Sequence, residues 1–259
     1  MVRIYASQPS KFSDENKEAA GRSADFRPDS IPASAGLNRT NWNLFYEAPD
    51  LVDGAIIWGF TGGPAAIPGD FQVRLTLGDY TQTESFELMM DPRQSITVAD
   101  LEEQFDMLLR IRSMLQESHD AIREIRSVRG QMKEQASLAE EAGFGDEFGV
   151  VADSASTKLT GVEQELMQTK NQSFQDALNF PPMLDNQIAA LYGYVLSTDD
   201  RPNQGAYDRL EDLQAELSVH VTELRRIIQT DVARFNQMLQ DAGVPPVVVK
   251  QERAISAVP

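Results

Sequence analysis

The chain has 259 residues, no cysteine, 23 Lys+Arg against 40 Asp+Glu and a formal net charge of −17. Lack of cysteine excludes a disulfide scaffold, Cys-ligated metal and thiol catalysis, and the acidity argues against nucleic acid or anionic lipid as a partner. With 41% hydrophobic and 24% charged residues, the composition is that of one large or two ordinary globular domains with a real core. The longest apolar stretch near the front, Ala55 to Trp58, is far short of the roughly 20 residues that span a bilayer, and no signal peptide follows Met1. No membrane insertion is expected.

The first third of the chain reads as strands and turns. Val2 and Ile4 open a short alternating segment, an abrupt start that suggests a fragment. Residues 7–35, broken by Pro9, Pro28 and Pro32, read as a long loop. Asn38, Thr40, Trp42 and Leu44 then share one strand face, with Trp42 the best candidate for a central core residue. After the Pro68-Gly69 turn, Phe71, Val73, Leu75 and Leu77 alternate with polar residues, Gly78-Asp79 makes a two-residue connection, and Phe86, Leu88 and Met90 alternate again. That spacing predicts an antiparallel hairpin. Short strands separated by turns suggest a small immunoglobulin-like or fibronectin-like β-sandwich over residues 1–92, its first strand or strands expected upstream.

Beyond Asp91-Pro92-Arg93 the period changes from two to three-and-four. Thr97 with Asp100 matches a capping box, and Leu101, Phe105, Leu108, Leu115 and Ile122 continue a helical stripe to about Met132, a rod of roughly 50 Å. The glycines from Gly143 to Gly149 break it. A second helix is expected from about Ser156 to Thr169, a third after Pro181-Pro182 carrying Leu184, Ile188, Leu191 and Val195, and a fourth carrying Leu210, Leu213, Leu217, Leu224, Ile228, Phe235 and Leu239. Gly243 and Pro245-Pro246 close the fourth. Four amphipathic segments predict an antiparallel four-helix bundle over 93–243, followed by a tail over 244–259 that packs back or frays. The fold expected is therefore multi-domain, β then α. Residues 1–93 carry 8 basic and 13 acidic side chains, a net of −5, leaving 15 against 27, or −12, for the helical part.

Reactive constellations are scarce. A di-iron bundle needs Glu-x-x-His, but Gln116 precedes His119 and Leu217 precedes His220 at that spacing; both histidines read as boundary or surface residues. No Gly-x-Ser-x-Gly elbow occurs, the segment from Asp153 has Lys158 where an EF-hand needs glycine, and neither glycine cluster makes a phosphate loop. Tyr192, Tyr194 and Tyr207 could line a recognition groove, although plugging a bundle end is the favoured reading. The long stripes could extend into a homodimer interface through the bundle. No catalytic, cofactor-binding or metal-binding residue is assigned.

Five segments carry a family resemblance: AGLNRTNWNL from Ala35 to Leu44, GPAAIPGDFQVRLTL from Gly63 to Leu77, MDPR from Met90 to Arg93, IAALYGY from Ile188 to Tyr194, and FNQMLQDAGVP from Phe235 to Pro245. Together they resemble the C-terminal region of bacterial sortilin-like or sialidase-like proteins with BNR-repeat β-propellers, often labelled glycosyl hydrolases. The resemblance implies an immunoglobulin-like sandwich and a helical domain placed after a propeller, in proteins that are usually exported. The propeller's Ser-x-Asp-x-Gly-x-Thr-Trp boxes are absent from this chain, so the family's chemistry would lie in the missing part. The function expected is a non-catalytic accessory module whose partner is an upstream β-propeller, with no cofactor. The alternative is a hydrolase using junction carboxylates such as Asp91, Glu102 and Asp106.

Overall fold

A computed structural model describes residues 3–5 and 31–249. Val2, most of the loop expected over 7–35 and the last ten residues of the tail lie outside the described residues, while Ile4, expected in the opening strand, is described and belongs to no strand.

Among the described residues the fold is one hairpin and four helices, the fourth running through a π-helical turn. Strands β1 (Gly69–Leu77) and β2 (Tyr80–Leu88) pair antiparallel, with Phe71 opposite Phe86 and Leu77 opposite Tyr80. Helix α1 spans Val98–Glu141, α2 Glu147–Leu166 and α3 Leu184–Leu196, with a 3-10 turn over Phe174–Leu178 before α3. Helix α4 (Gln204–Ile227) continues through a π-helical turn at Ile228–Val232 into α5 (Ala233–Asp241).

The expected β-sandwich is not formed: the hairpin is the sole sheet among the described residues. Residues 38–44, read as one strand face, form no strand: the segment on to Ala66 contains just one isolated bridge, Phe45 to Ala65, and Leu44 sits at a φ of 64° that no strand allows. Part of the segment is instead a strap on the helices. Val52 N–H donates to His119 Nδ1 at 3.1 Å, Trp58 N–H to Asn186 Oδ1 at 2.9 Å and Phe60 N–H to the Ala189 carbonyl at 3.1 Å. In the other direction, Arg112 donates to the Glu47 and Ala48 carbonyls and Asn186 Nδ2 to the Ile56 carbonyl. Helix groups thus satisfy the backbone that neighbouring strands would have satisfied, while Leu51, Val52, Ala55 and Ile57 enter the helical core. At Gly59 the strap lies so close to α3 that a Cβ would collide with the Ala189 backbone. Trp42, expected at a core centre, is half-buried at the root of the hairpin.

The helices form three rods rather than four. Helix α2 lies along the C-terminal half of α1, where Arg129 bonds Thr160, and α3 along its N-terminal half, where Gln104 bonds the Val195 carbonyl. Helix α4 with α5 runs back along both. The α1 helix starts at the Thr97 capping box, in which Thr97 Oγ1 accepts from Asp100 N–H at 3.2 Å and the Asp100 carboxylate accepts from Thr97 N–H at 3.2 Å. It extends two turns past Met132 and ends in a Schellman motif, Phe144 N–H to the Ala139 carbonyl and Gly143 N–H to the Glu140 carbonyl, with Gly143 at φ 91°. The same motif at Gly243 ends α5. Helix α2 begins at Glu147, well before the expected Ser156, because Gly149 is accommodated inside its first turn.

The last rod explains why its stripe does not follow one heptad register. Leu213, Leu217, Val221, Leu224 and Ile227 are buried, then Val232, Phe235 and Leu239. The π turn inserts one residue between Ile227 and Val232 and rotates the stripe back onto the core, leaving Ile228 half-buried. After Gly243 the chain packs back: the Asn236 amide pairs with both backbone groups of Val247, and Gln131 with both of Val248.

Candidate functional site

The hairpin grows from a ring cluster. Trp42 packs against Phe71 at 5.4 Å and Phe86 at 6.3 Å, and those two rings stack across the strands at 5.8 Å. Gly78 takes φ 57° at the first turn position, the place where a two-residue hairpin loop needs glycine. Strand alternation puts Val73, Leu75, Leu77 and Tyr80 on the face of those rings, but beyond the root no described residue covers them. They are 56, 53, 72 and 56% exposed. On the same face Tyr80 Oη donates to Gln82 Oε1 at 2.6 Å, and Gln82 Nε2 to Glu84 Oε1 at 2.7 Å. The opposite face is polar, with Arg74, Thr76, Thr81 and Thr83. A two-stranded hairpin alone is marginal in water, and this one exposes the apolar stripe that a sandwich would have buried.

Buried polar groups, by contrast, serve architecture. His119 is fully buried rather than at a boundary, and its Nδ1 accepts from the strap. Burial, with Arg123 and Arg126 nearby, pushes its pKa down to about 3, so the ring is neutral and its proton sits on Nε2. Asp185 is buried in the first turn of α3, and burial raises its pKa to about 7 against the opposing hydrogen bonds from Asn186. Glu163 is held by Arg126 at 2.7 Å and Arg129 at 2.8 Å. His119 ties α1 to the strap and Glu163 ties α2 to α1, while Asp185 bonds its neighbour Asn186, whose own amide pairs with the strap. Among the described residues no group of three or more His, Asp or Glu side chains could hold a metal ion.

The junction carboxylates are not convergent. Asp91 is clasped by Arg93 at 2.6 Å, whose guanidinium holds it below the usual carboxylate range. Glu102 and Asp106 are exposed on α1. The three tyrosines separate: Tyr192 is buried with its ring stacked on Phe60 at 5.2 Å, Tyr207 is half-buried, and Tyr194 is exposed. Tyr194 borders an open cleft of about 470 Å³ between α3 and α4, with Gln187, Leu191, Asn203 and Arg209. There Arg209 donates to Gln187 and Asn203 to Tyr194, both at 2.6 Å.

Two features escaped the sequence reading. Glu163 looked like one of many solvating acids, and only its place inside the α2 stripe, one residue after Val162, hinted at burial. The exposed stripe was visible as alternation but was assigned to a core. No helix of the described residues is long and apolar enough to cross a membrane. No protein-family model matches the chain, and neither a curated protein nor a solved structure is detectably similar to it.

Proposed function

We propose that the chain is a non-catalytic interaction module, the C-terminal portion of a larger sialidase-like or sortilin-like propeller protein, whose work is to dock on that propeller. The observation that carries the reading is the hairpin's bare apolar stripe, Val73, Leu75, Leu77 and Tyr80, standing outside a complete helical core. A contiguous exposed apolar patch on an otherwise acidic surface marks a contact site. The buried ionisable groups His119, Asp185 and Glu163 are each bonded to a neighbouring group of the fold, and the junction carboxylates are clasped or solvated, so neither set makes a convergent cluster.

The test mixes the purified chain with a purified BNR-type propeller domain and follows complex formation by sedimentation velocity. Binding by wild type that is lost in Leu75→Glu supports the reading. No complex at any accessible concentration, or turnover of a chromogenic glycoside or peptide that disappears in Asp91→Asn, overturns it.

A further inference from the structure

The hairpin's edges and charges say more than its stripe. The ladder from Gly69–Leu88 to Leu77–Tyr80 runs without a bulge, and neither strand contains proline or lysine, the usual devices that blunt an edge. An open edge offers N–H and C=O groups at strand spacing, and an added strand would continue both the ladder and the apolar face.

Charge and area select the occupant. Residues 69–88 hold Asp70, Asp79, Glu84 and Glu87 against Arg74 alone, a net of −3 in a chain of −17. Glu84 lies within the apolar face, opposite Val73, with Gln82 its hydrogen-bond donor. Two-fold pairing of β2 with a second copy would set Glu84 and Glu87 of both chains in one ladder, where like charges repel. Facing stripes fare little better. The five apolar side chains from Val73 to Phe86 expose on the order of 500 Å², so two copies would cover about 1,000 Å², below the range of stable interfaces.

We infer that the outer edge of β2, unpaired among the described residues, takes an edge strand of a different polypeptide, one whose inward residues are apolar except for a Lys or Arg that meets Glu84. This rests on the reading of the chain as an interaction module, and adds the docking element and the chemistry of its partner. Tyr80 and Phe86 would contact apolar side chains of that strand, while its cation would replace Gln82 or share Glu84 with it.

The probe is the capped peptide KVTKTVTLT, which in antiparallel register sets lysines opposite Glu87 and Glu84 and valine or leucine opposite Phe86, Gln82 and Tyr80. Its control is KVTETVTLT, which differs at the position opposite Glu84 alone. Titrated into the 15N-labelled full chain, the lysine peptide should shift amide resonances of residues 80–88 and bind about tenfold tighter than the control, the preference of one charge-assisted contact. Glu84→Gln should erase most of that preference while leaving the helical spectrum unchanged. Equal affinity for the two peptides, shifts confined to other residues, or self-association of the unliganded chain through the hairpin overturns the inference. A propeller domain that binds wild type and Glu84→Arg equally also overturns it but leaves the interaction reading intact. Peptide binding at β2 without propeller binding does the reverse.

Discussion

Two buried groups should make this protein's stability respond to pH in opposite directions. Asp185 ionises near 3.8 when exposed, but burial raises its pKa to about 7 in the fold. Between those values the folded chain holds a proton that the unfolded chain has released, so stability falls as pH rises from about 4 to 7. His119 does the opposite. Its pKa drops from 6.5 to about 3 on burial, so between those values the unfolded chain binds the extra proton and stability climbs with pH until about 6.5. Each slope is about 1.4 kcal/mol per pH unit at its steepest, and over the shared window from pH 4 to 6.5 the two nearly cancel. Removing one exposes the other. Asp185→Asn should become more stable relative to wild type by roughly 3 kcal/mol across that window, and His119→Asn, whose Oδ1 can still accept from Val52 N–H, should become less stable by a similar amount. Urea unfolding followed by circular dichroism at pH 4, 5, 6 and 7 measures both, and all other titrating groups drop out of the variant-minus-wild-type difference. Differences that stay flat with pH for both variants would refute the burial argument.

The core assignments yield further outcomes. Leu217→Ala or Leu224→Ala should each cost about 2–5 kcal/mol in chemical denaturation, whereas a loss under about 0.5 kcal/mol would place the stripe against solvent. Gly59→Ala should cost at least about 2 kcal/mol because the strap must lift off Ala189, yet Gly161→Ala, inside α2 with open space around it, should stabilise by up to about 1 kcal/mol; thermal melts distinguish the two. Glu163→Gln leaves Arg126 and Arg129 without a carboxylate and should cost about 1–3 kcal/mol, less than a fully buried pair because both guanidinia reach solvent.

Local signals carried the helical part well. The Thr97 box, the Pro181-Pro182 break, the 184–196 helix and the Gly243 stop are set by neighbours in sequence, and a local rule can see them. The hairpin register was equally legible, since Gly78 and the alternation around it fix the pairing. What failed depended on contacts far along the chain. The strap's hydrogen bonds run to His119, Asn186 and Ala189, roughly 65 to 130 residues away, so no local pattern marks its path across the helices. The π turn, beside which Lys158 of α2 pairs with Asp231, shifts the stripe by one residue, a break in register that a helical periodicity read as one continuous stripe does not place. His119 was placed at a boundary because polarity suggested exposure; the Val52 N–H that recruits it comes from the strap.

That division also separates stability from recognition. The strap, three rods and packed-back tail form one continuous core that buries Leu51 beside the helices and Val247 beneath Asn236. No stripe residue of the hairpin beyond its root is in that core. Losing Leu75 or Leu77 to solvent therefore costs the fold little, and selection for folding alone would favour polar side chains on a surface-exposed hairpin. Keeping alternation on one face while the chain carries a large negative charge is the observation on which the proposed docking role rests. Under that proposal the acidic groups around the stripe select a partner that brings both apolar contact and positive charge to the same edge.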